Sequence, residues 1–560
     1  MFALAAWQAE LSRPRTSLQL CLVAIIAGVC SSALIIAFRL SYESLQLLWL
    51  TDVDNFQSMA PEHRLFLPLA GVSVILAFAY MTGFKHYRMG IPFVIYRVKK
   101  FYGVIPFRAT LNQFFGGMAA LASGFSVGRE GPSVHLGAAG SSFLGQWLKL
   151  PYNSIRILTG CGIAAGISAS FNTPFAAVLF VMEVVLREYK IHIFIPVMLA
   201  AACGSVMSRM VFGVHHELDF LTIAQFDNWV YLYLILFGAV MGAIATFFNN
   251  QLMSLMQWFR PMSMVRRLLL AALITGVVGF FVPEAMGTGL SAIQWVVDTP
   301  SQFDLLLYIL LAKFILTLFA IALGIPGGLI GPTLGLGVLC GAVLLYPLQA
   351  VTETEHLTSS FALLGMAGFL TAVLHAPLAA LSAIMELSFS TDVILPAMLV
   401  IVPAYVTSTQ FFGNRSIFIR QLDYQKLEYT TTSIQDTLQK VGVLAVCDKQ
   451  YKLFVDAGDH HIIQFLDTDP THPVVLKSEY EIDSEFHWVH YDFSMNPYDS
   501  KPLVKDQMQG VQSQATLAEV WEILQKKRSG AVYIYGETNK SIIGVITWDM
   551  VRNFLHRKEY

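Results

Sequence analysis

Residues 126–137 read SVGREGPSVHLG, and they place an arginine and a glutamate between glycines in a strongly apolar chain. Of the 560 residues, 55% are hydrophobic and 13% are charged, and the mean hydropathy is +0.58. These values lie far outside the range of soluble proteins of this size and indicate a membrane protein. Ionisable residues at membrane depth mark functional sites by default. The loop that carries Arg129 and Glu130 is therefore the first candidate for such a site.

Glycine and proline interrupt several other apolar segments. The interruptions are MGIP at 89–92, GREGP at 128–132, FNTP at 171–174, GIPGGLIGP at 324–332 and LHAPL at 374–378. Backbone that leaves helical geometry at membrane depth is tolerated only where it is buried in protein or lines a watery cavity. The sequence thus predicts broken helices, and their breaks are candidates for a transport site.

Two parts of the chain resemble each other at a nearly constant offset. TPFAAVLFVME (173–183) and APLAALSAIME (376–386) share Pro, Ala-Ala, Met and Glu at the same internal spacing, 203 residues apart. GPS (131–133) likewise matches GPT (331–333) at an offset of 200 residues. Repeats of this kind bring discontinuous helices together near the membrane midplane, so the breaks of both halves are expected to converge. Chance recurrence of small-residue motifs in membrane helices is the alternative explanation.

The glycine breaks have the chemistry of an anion site. A helix that begins at membrane depth points unpaired N–H groups and the positive end of its dipole at whatever lies in front of it. Glycine lets the backbone approach an ion closely, and proline suits the first turn of a helix. Because conduction needs binding weak enough for release, backbone amides suit a permeation pathway better than a full positive charge.

Glu130 has a specific meaning beside such amides. Its carboxylate is an anion of about the right size to occupy the site that its own loop creates. When ionised it would block passage, and when protonated or displaced it would open the route, so permeation would depend on pH and on anion concentration. The alternative is a structural role, in which Arg129 and Glu130 cap the start of a helix.

Five motifs occur in a characteristic order before a polar tail. They are MGIP (89–92), GREGPSVHLG (128–137), FNTPFAAVLFVMEV (171–184), GGLIGP (327–332) and NRSIFIRQL (414–422). In this arrangement residues 17–423 resemble the CLC family of chloride channels and chloride/proton antiporters. The resemblance implies an all-α polytopic membrane protein with the CLC fold of two inverted repeats. It also implies a homodimer in the lipid bilayer, one anion pathway per subunit, and Glu130 as the external gate.

The resemblance further implies the anion-binding positions. These are Met89, Gly90, Ile91, Arg129, Glu130, Gly131, Leu329, Ile330 and Phe418. Met89 stands where many members have serine, Ile330 where phenylalanine is usual, and Phe418 where tyrosine is expected, although Ile417 is the alternative alignment. Both side-chain hydroxyl donors would then be absent, which weakens anion binding by about 1 to 3 kcal/mol unless water substitutes.

Proton coupling depends on the residues around Glu183. Antiporters of the family usually carry a second, inner glutamate directly after this position, and this chain has Val184 there. The resemblance therefore favours anion flow without fixed proton coupling. Glu183 and its repeat counterpart Glu386 are expected to cap helices or to pair with basic groups, with proton acceptance by Glu183 as the alternative. Lys313 lies within a long apolar segment and must pair, reach the interface or face water.

The chain divides into three parts by composition: a cytoplasmic segment (1–16), the transport domain (17–423) and a cytoplasmic tail (424–560). The tail resembles the CBS-like α/β domains of many CLC proteins. Its last part predicts a helix at 515–527, strands at 531–536 and 541–547 joined by a turn, and a helix at 548–558. Thr547 and Asp549 lie two residues apart instead of three, so a dimerising cap and a nucleotide site both remain open. No cofactor is expected.

The resemblance leads us to expect a chloride channel or permease of CLC type, gated by Glu130 and weakly coupled or uncoupled to protons. The alternatives are a chloride/proton antiporter, a fluoride exporter suggested by Met89, and a sensor or scaffold with an inactive pore. No metal, disulfide or catalytic motif is recognisable, so an enzyme is not expected. The net charge of −2 gives no attraction to nucleic acid.

Basic residues at the ends of the first spans predict the orientation of the chain. Arg13 and Arg15 precede the apolar run Ser17–Phe38, and the basic segment 85–100 follows the apolar run Leu65–Met81. By the positive-inside rule both basic segments face the cytoplasm. The sequence thus predicts a multi-pass plasma membrane protein, of a bacterial inner membrane, with both termini in the cytoplasm.

Overall fold

The computed structural model divides into two compact units. The larger, here called the membrane unit, comprises Cys21–Leu144 and Ile157–Tyr429. The smaller, here called the terminal unit, comprises Met1–Leu20, Gly145–Arg156 and Thr430–Tyr560. The structure describes residues 2–84, 89–213, 218, 220–298, 303–350, 355–430, 432–469, 472–479, 484–491, 503–536 and 541–556.

Helices account for nearly all of the regular structure up to residue 429. They are α1 Phe2–Leu11, α2 Leu18–Gln46, α3 Pro61–Met81, α4 Gly90–Lys100, α5 Phe107–Ala122, α6 Glu130–Trp147, α7 Tyr152–Phe171, α8 Pro174–Phe180, α9 Ile191–Phe212, α10 Asn228–Trp258, α11 Met264–Phe281, α12 Leu290–Asp298, α13 Phe303–Leu323, α14 Ile330–Leu345, α15 Thr358–Leu374, α16 Pro377–Leu387, α17 Ile394–Val406 and α18 Ile417–Gln425. Two π-helical turns, Val181–Leu186 and Thr407–Phe411, continue α8 and α17.

The spans and breaks predicted from sequence are confirmed. Within the described ranges, nine helices are long and apolar enough to cross a membrane, and the chain is a multi-pass membrane protein. The five interrupted motifs each give way to a new helix, namely α4, α6, α8, α14 and α16. After the FNTP and LHAPL breaks, the helices α8 and α16 begin at Pro174 and Pro377. Proline is best tolerated there, in the first turn of a helix.

The two repeats use the same helix packing. A Cβ atom on Gly137 of α6 would overlap the carbonyl oxygen of Gly162 of α7, and the converse also holds. In the second half, Gly337 of α14 and Gly365 of α15 approach each other in the same way. Small residues are what allow two membrane helices to bring their backbones this close. The repeat predicted from short motifs therefore extends to the contacts between whole helices, as expected for the CLC fold.

The terminal unit contains the strands. They are β1 Lys452–Val455, β2 Val474–Glu479, β3 Ser484–Tyr491, β4 Leu503–Gln507, β5 Gln509–Gln512, β6 Ala531–Tyr535 and β7 Ile542–Thr547, with helices α19 Ser433–Leu438, α20 Asp459–Thr468, α21 Leu517–Leu524 and α22 Trp548–His556. The first four strands form one sheet in the order β1-β2-β3-β4, and the last three form another in the order β5-β6-β7. The helices and strands predicted for the last part are confirmed. The predicted turn at 536–540 lies outside the described residues, except for Gly536.

Both sheets begin with the same topology, which the sequence did not predict. β1 and β2 are parallel with α20 between them, and β3 then adds antiparallel to β2. In the same way β5 and β6 are parallel with α21 between them, and β7 adds antiparallel to β6. Helix α21 starts with a capping box, in which Thr516 and Glu519 satisfy each other's backbone N–H groups. The tail thus holds two successive strand–helix–strand–strand modules.

Two segments from the first part of the chain belong to the terminal unit. The backbone N–H of Gly442 donates to the carbonyl oxygen of Ser12 over 2.9 Å, which joins the end of α1 to the tail. The connection 145–156 is held by Gln514, whose carbonyl oxygen accepts from the N–H of Tyr152 over 2.8 Å and whose side chain donates to Leu150 over 3.1 Å. These hydrogen bonds tie three separate stretches of sequence into one compact body.

Candidate anion-binding site

The loops that precede α6 and α14 are joined by their backbones. The N–H of Gly128 donates to the carbonyl oxygen of Gly328 over 2.7 Å, and the N–H of Gly328 donates back to Gly128 over 2.6 Å. The pair is antiparallel and connects equivalent loops of the two repeats, so a local two-fold axis relates them. The starts of α6 and α14 therefore lie beside each other, as the glycine breaks predicted.

Glu130 occupies the point where these loops meet. Its side chain is only 4% exposed, although it is the first residue of α6. A Cβ atom on Gly328 would lie 2.6 Å from its Oε2 atom, and one on Gly331 would lie 2.9 Å from its Oε1 atom. The absence of side chains at Gly128, Gly328 and Gly331 is thus what gives the carboxyl group room against the backbone of both loops.

A large cavity adjoins the loops on one side of Glu130. Its volume is about 540 Å³. This main cavity is lined by residues of α4, α5, α6, α11 and α18, by the ends of α10 and α13, and by the loop before α14. The lining residues are Met89–Pro92, Gln113, Gly131, Met256, Arg260, Met262–Met264, Arg267, Ile321–Leu329, Phe418, Gln421 and Tyr424–Lys426. It brings the MGIP break together with the two loops that form the Gly128–Gly328 pair.

The charge of the main cavity is one-sided. Arg260, Arg267 and Lys426 line it, and the described lining residues include no aspartate or glutamate. A concave surface with one sign of charge and low-dielectric walls raises the local concentration of the opposite ion. The sequence analysis missed these residues, because Arg260 and Arg267 flank the connection between two spans and belong to none of the recognised motifs.

The predicted site residues separate into two groups in space. Six of the nine line the main cavity, namely Met89, Gly90, Ile91, Gly131, Leu329 and Phe418. Glu130 and Ile330 instead line a small apolar cavity of about 70 Å³ that lies against α8, α15 and α16. Arg129 and Glu130 also line a cavity of about 40 Å³, together with Thr288 and Gly289. Glu130 therefore stands between the main cavity, which the adjacent Gly131 lines, and two smaller spaces.

Arg129 makes specific contacts within the protein. Its Nη1 atom donates to the hydroxyl oxygen of Tyr42 over 3.2 Å, and its guanidinium lies over the ring of Phe171, 4.3 Å from the ring centroid. The side chain is 5% exposed. A cation in such an aromatic environment contributes positive potential beside Glu130 while its position is fixed by protein groups.

Two lining side chains lack the hydroxyl groups expected of them. Met89 precedes the first residue of α4, and Phe418 is 2% exposed in the first turn of α18; both line the main cavity. Of the two apolar candidates for this second position, Phe418 is in the lining and Ile417 is not among the described lining residues. The cavity wall therefore offers no hydroxyl donor at either position.

Gln113 is a further polar residue of this wall, and sequence reasoning missed it. It belongs to α5 and its side chain is fully buried. Its Oε1 atom accepts from the N–H of Gly90 over 3.1 Å, at the first residue of α4. The repeat carries a signal for this residue. Gln113 lies 200 residues before Lys313, the same offset that separates Glu130 from Ile330, so Gln113 and Lys313 occupy equivalent positions of the two halves.

Lys313 occupies the equivalent position of the second half and is paired, as one of the predicted alternatives required. Its Nζ atom donates to the carbonyl oxygens of Gly287 over 2.8 Å and of Ala285 over 3.1 Å. Asp54 supports the same segment, because its carboxylate accepts from the N–H of Thr288 over 3.0 Å and from the Thr288 hydroxyl over 2.8 Å. Lys313 is not among the described residues that line the main cavity.

Glu183 and Glu386 cap each other's helices, which confirms the capping role predicted for them. The carboxylate of Glu183 accepts from the N–H groups of Leu378 over 3.3 Å and of Ala379 over 2.8 Å, at the start of α16. Glu386 in turn accepts from Phe175 over 3.0 Å and from Ala176 over 2.7 Å, at the start of α8. The next residue, Val184, is buried.

Comparisons with known proteins agree with this architecture. Residues 69–409 match the family model described as voltage gated chloride channel. The chain is 28% identical over 430 residues to the H(+)/Cl(−) exchange transporter ClcA of Citrobacter koseri, covering 73% of this chain and 89% of that protein. Its fold resembles a eukaryotic CLC transporter, with a TM-score of 0.62, 18% identity, and 95% and 97% of the two chains covered. It also resembles a CLC-type fluoride/proton antiporter, with a TM-score of 0.59, 24% identity, and 72% and 97% covered. The chain belongs to the CLC family of chloride channels and transporters.

Proposed function

We propose that this CLC protein is a chloride permease in which Glu130 gates the anion pathway, with anion flow weakly coupled or uncoupled to protons. The observation that carries the proposal is the carboxyl group of Glu130 against the glycine backbone of Gly128, Gly328 and Gly331. A negatively charged group held at two adjoining helix starts occupies the place that a halide would take. Release of that group, by protonation or by competition with chloride, opens the route.

The main cavity supplies the approach to this gate. Its three cationic side chains, Arg260, Arg267 and Lys426, lie in a wall whose described residues contain no acid, which concentrates anions near the loops. Near the gate the wall consists mainly of glycine backbone and apolar side chains. Backbone dipoles bind a halide weakly enough for release, so this combination suits rapid passage.

The surroundings of Glu183 support weak proton coupling. A second route for protons from the cavity side requires an acid that can leave its partners, and the position after Glu183 carries the buried, non-titratable Val184. Glu183 itself is engaged by two backbone N–H groups of α16. These two bonds hold Glu183 at the start of α16 as a helix cap.

Two other functions have an observation in their favour. A chloride/proton exchanger is favoured by the similarity to a relative named as an H(+)/Cl(−) exchange transporter. A fluoride exporter is favoured by Met89 in the main cavity and by the fold similarity to a protein described as a fluoride/proton antiporter. Both alternatives keep the same pathway and differ in the ion that accompanies or replaces chloride.

Reconstituted vesicles separate these functions. Purified protein in liposomes with a chloride gradient is expected to give a reversal potential that follows chloride alone and stays constant when a pH gradient is imposed. A shift of the reversal potential with the pH gradient would identify the exchanger. A fluoride permeability far above that of chloride would identify the fluoride exporter, and a folded protein without anion flux would contradict all three and leave a sensor or scaffold.

The proposed function extends to the oligomeric state and the membrane orientation of the chain. We propose that the chain forms a homodimer, as the CLC resemblance implies, in a bacterial inner membrane. Both termini are placed in the cytoplasm because Arg13 and Arg15 precede the first span. Residues 424–560 would then form a cytoplasmic, CBS-like domain whose role is regulatory and not catalytic. Crosslinking in native membranes tests the dimer, and protease protection of the tail tests on which side of the membrane the tail lies.

A further inference from the structure

The side-chain amide of Gln113 has a fixed orientation in the wall of the main cavity. The backbone N–H of Gly90 can only donate a hydrogen bond, so the Gln113 atom that faces it over 3.1 Å must be the carbonyl oxygen. The two N–H donors of the amide therefore face away from Gly90. Because Gln113 is fully buried, bulk water does not satisfy them.

These N–H donors are unused within the protein. The Nε2 atom of Gln113 has no hydrogen-bond partner among the residues that the structure describes. A buried donor without an acceptor is destabilising, and native proteins retain such groups where a ligand or ordered water completes them. Gln113 lines the main cavity, as does Gly131, which directly follows Glu130 in sequence.

The same wall lacks hydroxyl groups at the two positions where the family resemblance leads one to expect them. Met89 and Phe418 offer no hydroxyl group, and the cationic side chains of the main cavity belong to Arg260 after α10, Arg267 of α11 and Lys426 after α18. A neutral amide donor binds a halide with useful strength and still allows release, unlike a full charge in the same place. Its carbonyl oxygen simultaneously holds the start of α4.

We infer that Gln113 is an anion-coordinating residue, whose Nε2–H groups donate to the permeant halide in the main cavity and replace the hydroxyl donors absent at Met89 and Phe418. This inference rests on the proposed function, since it names a contact within the proposed anion pathway. It assigns Gln113 two tasks, which are donation to the anion through nitrogen and acceptance from Gly90 through oxygen.

One substitution separates the two tasks. Gln113→Glu keeps an oxygen that can accept from Gly90 and replaces the two N–H donors by a second oxygen. Chloride affinity of the purified full chain, measured by isothermal titration at neutral pH, is expected to fall by roughly tenfold or more. It is expected to recover partly at acidic pH, because the protonated carboxyl group regains one donor. Gln425→Glu, which adds the same charge elsewhere in the main cavity, is expected to weaken binding less at neutral pH, because it leaves the Gln113 donors in place.

A second variant does not rely on the behaviour of a buried charge. Gln113→Met has nearly the same volume and no polar atom, and it is expected to weaken chloride binding by roughly tenfold. Met89→Ser in that background returns a hydroxyl donor to the wall and is expected to restore part of the affinity. Thermal unfolding of each variant is compared with the wild-type protein, so that lost binding is assigned only to folded samples.

The outcomes distinguish this inference from the function on which it rests. If folded Gln113→Glu and Gln113→Met bind chloride as tightly as the wild-type protein, which itself conducts chloride, then Gln113 only holds the start of α4 and the inference is wrong. If the wild-type protein neither binds nor conducts chloride, the proposed function fails and the role of Gln113 fails with it.

Discussion

Glu130 combines the two properties that a tethered blocking group needs. It is covalently bound to the start of α6, and its carboxyl oxygens lie against glycines of both repeats. It also lies beside a cavity wall that attracts anions. Because it competes as a charged group, the position should respond to every condition that changes its charge.

The first prediction concerns that charge. Glu130→Gln keeps the shape of the side chain and removes its negative charge, so it is expected to abolish most of the pH dependence of chloride flux and leave the pathway open. Vesicle flux measured across a pH series tests this. A folded variant that conducts nothing at any pH would argue against the competition between carboxylate and chloride.

The second prediction concerns the space around the carboxyl group. A Cβ atom on Gly331 would lie 2.9 Å from Oε1 of Glu130, so Gly331→Ala is expected to displace the side chain and raise the flux at neutral pH. Gly335→Ala is the matched control, since its Cβ atom would meet Gly289 at 3.3 Å instead of Glu130. If Gly331→Ala keeps the flux and the pH dependence of the wild-type protein, the carboxyl group of Glu130 does not block the pathway at Gly331.

At the level of helices, α8 and α16 stabilise each other by exchanging caps. Each ends near a glutamate that binds the first N–H groups of the other, and these are the pairs described above for Glu183 and Glu386. The exchange fixes the relative position of the two helices that line the small apolar cavity beside Glu130. Caps at buried helix starts are therefore part of what holds the gate region in place.

The third prediction tests these caps. Glu183→Gln and Glu386→Gln each exchange a charged acceptor for a neutral amide, and each is expected to destabilise the protein by about 1 to 2 kcal/mol. Thermal unfolding in detergent measures the loss, with the exposed Asp392→Asn at the start of α17 as the control. A large change in proton transport with unaltered stability would instead assign Glu183 to a proton pathway.

The fourth prediction concerns the connection between α10 and α11 and the start of α11. Arg260 and Arg267 line the main cavity, whereas the adjacent Arg266 is exposed and is not among its described lining residues. Arg260→Gln and Arg267→Gln are each expected to lower chloride flux roughly threefold at low salt, with a smaller effect at high salt because salt screens the attraction. Equal losses in Arg266→Gln would attribute the effect to net charge alone.

For the whole molecule, much of the architecture could be predicted because glycine and proline break apolar runs at fixed places. The starts of α8 and α16 at Pro174 and Pro377, and the meeting of the GREGP and GGLIGP loops, follow from local rules and from the repeat. The role of Gln113 could not be predicted, because its bond to Gly90 joins residues from different helices, and its repeat offset to Lys313 indicates an equivalent position but not this contact. The same is true of the parallel pairing of β1 and β2, which depends on contacts distant in sequence.

Bromide diffraction from crystals of the wild-type protein and of Glu130→Gln tests the central claim most directly, because bromide permeates in place of chloride and is located by its anomalous signal. A bromide ion is expected between Gly128, Gly328 and Gly331 in the variant, where the wild-type protein holds the carboxyl group. An empty position in the variant, or bromide at that position beside an unmoved Glu130 in the wild-type protein, would contradict it.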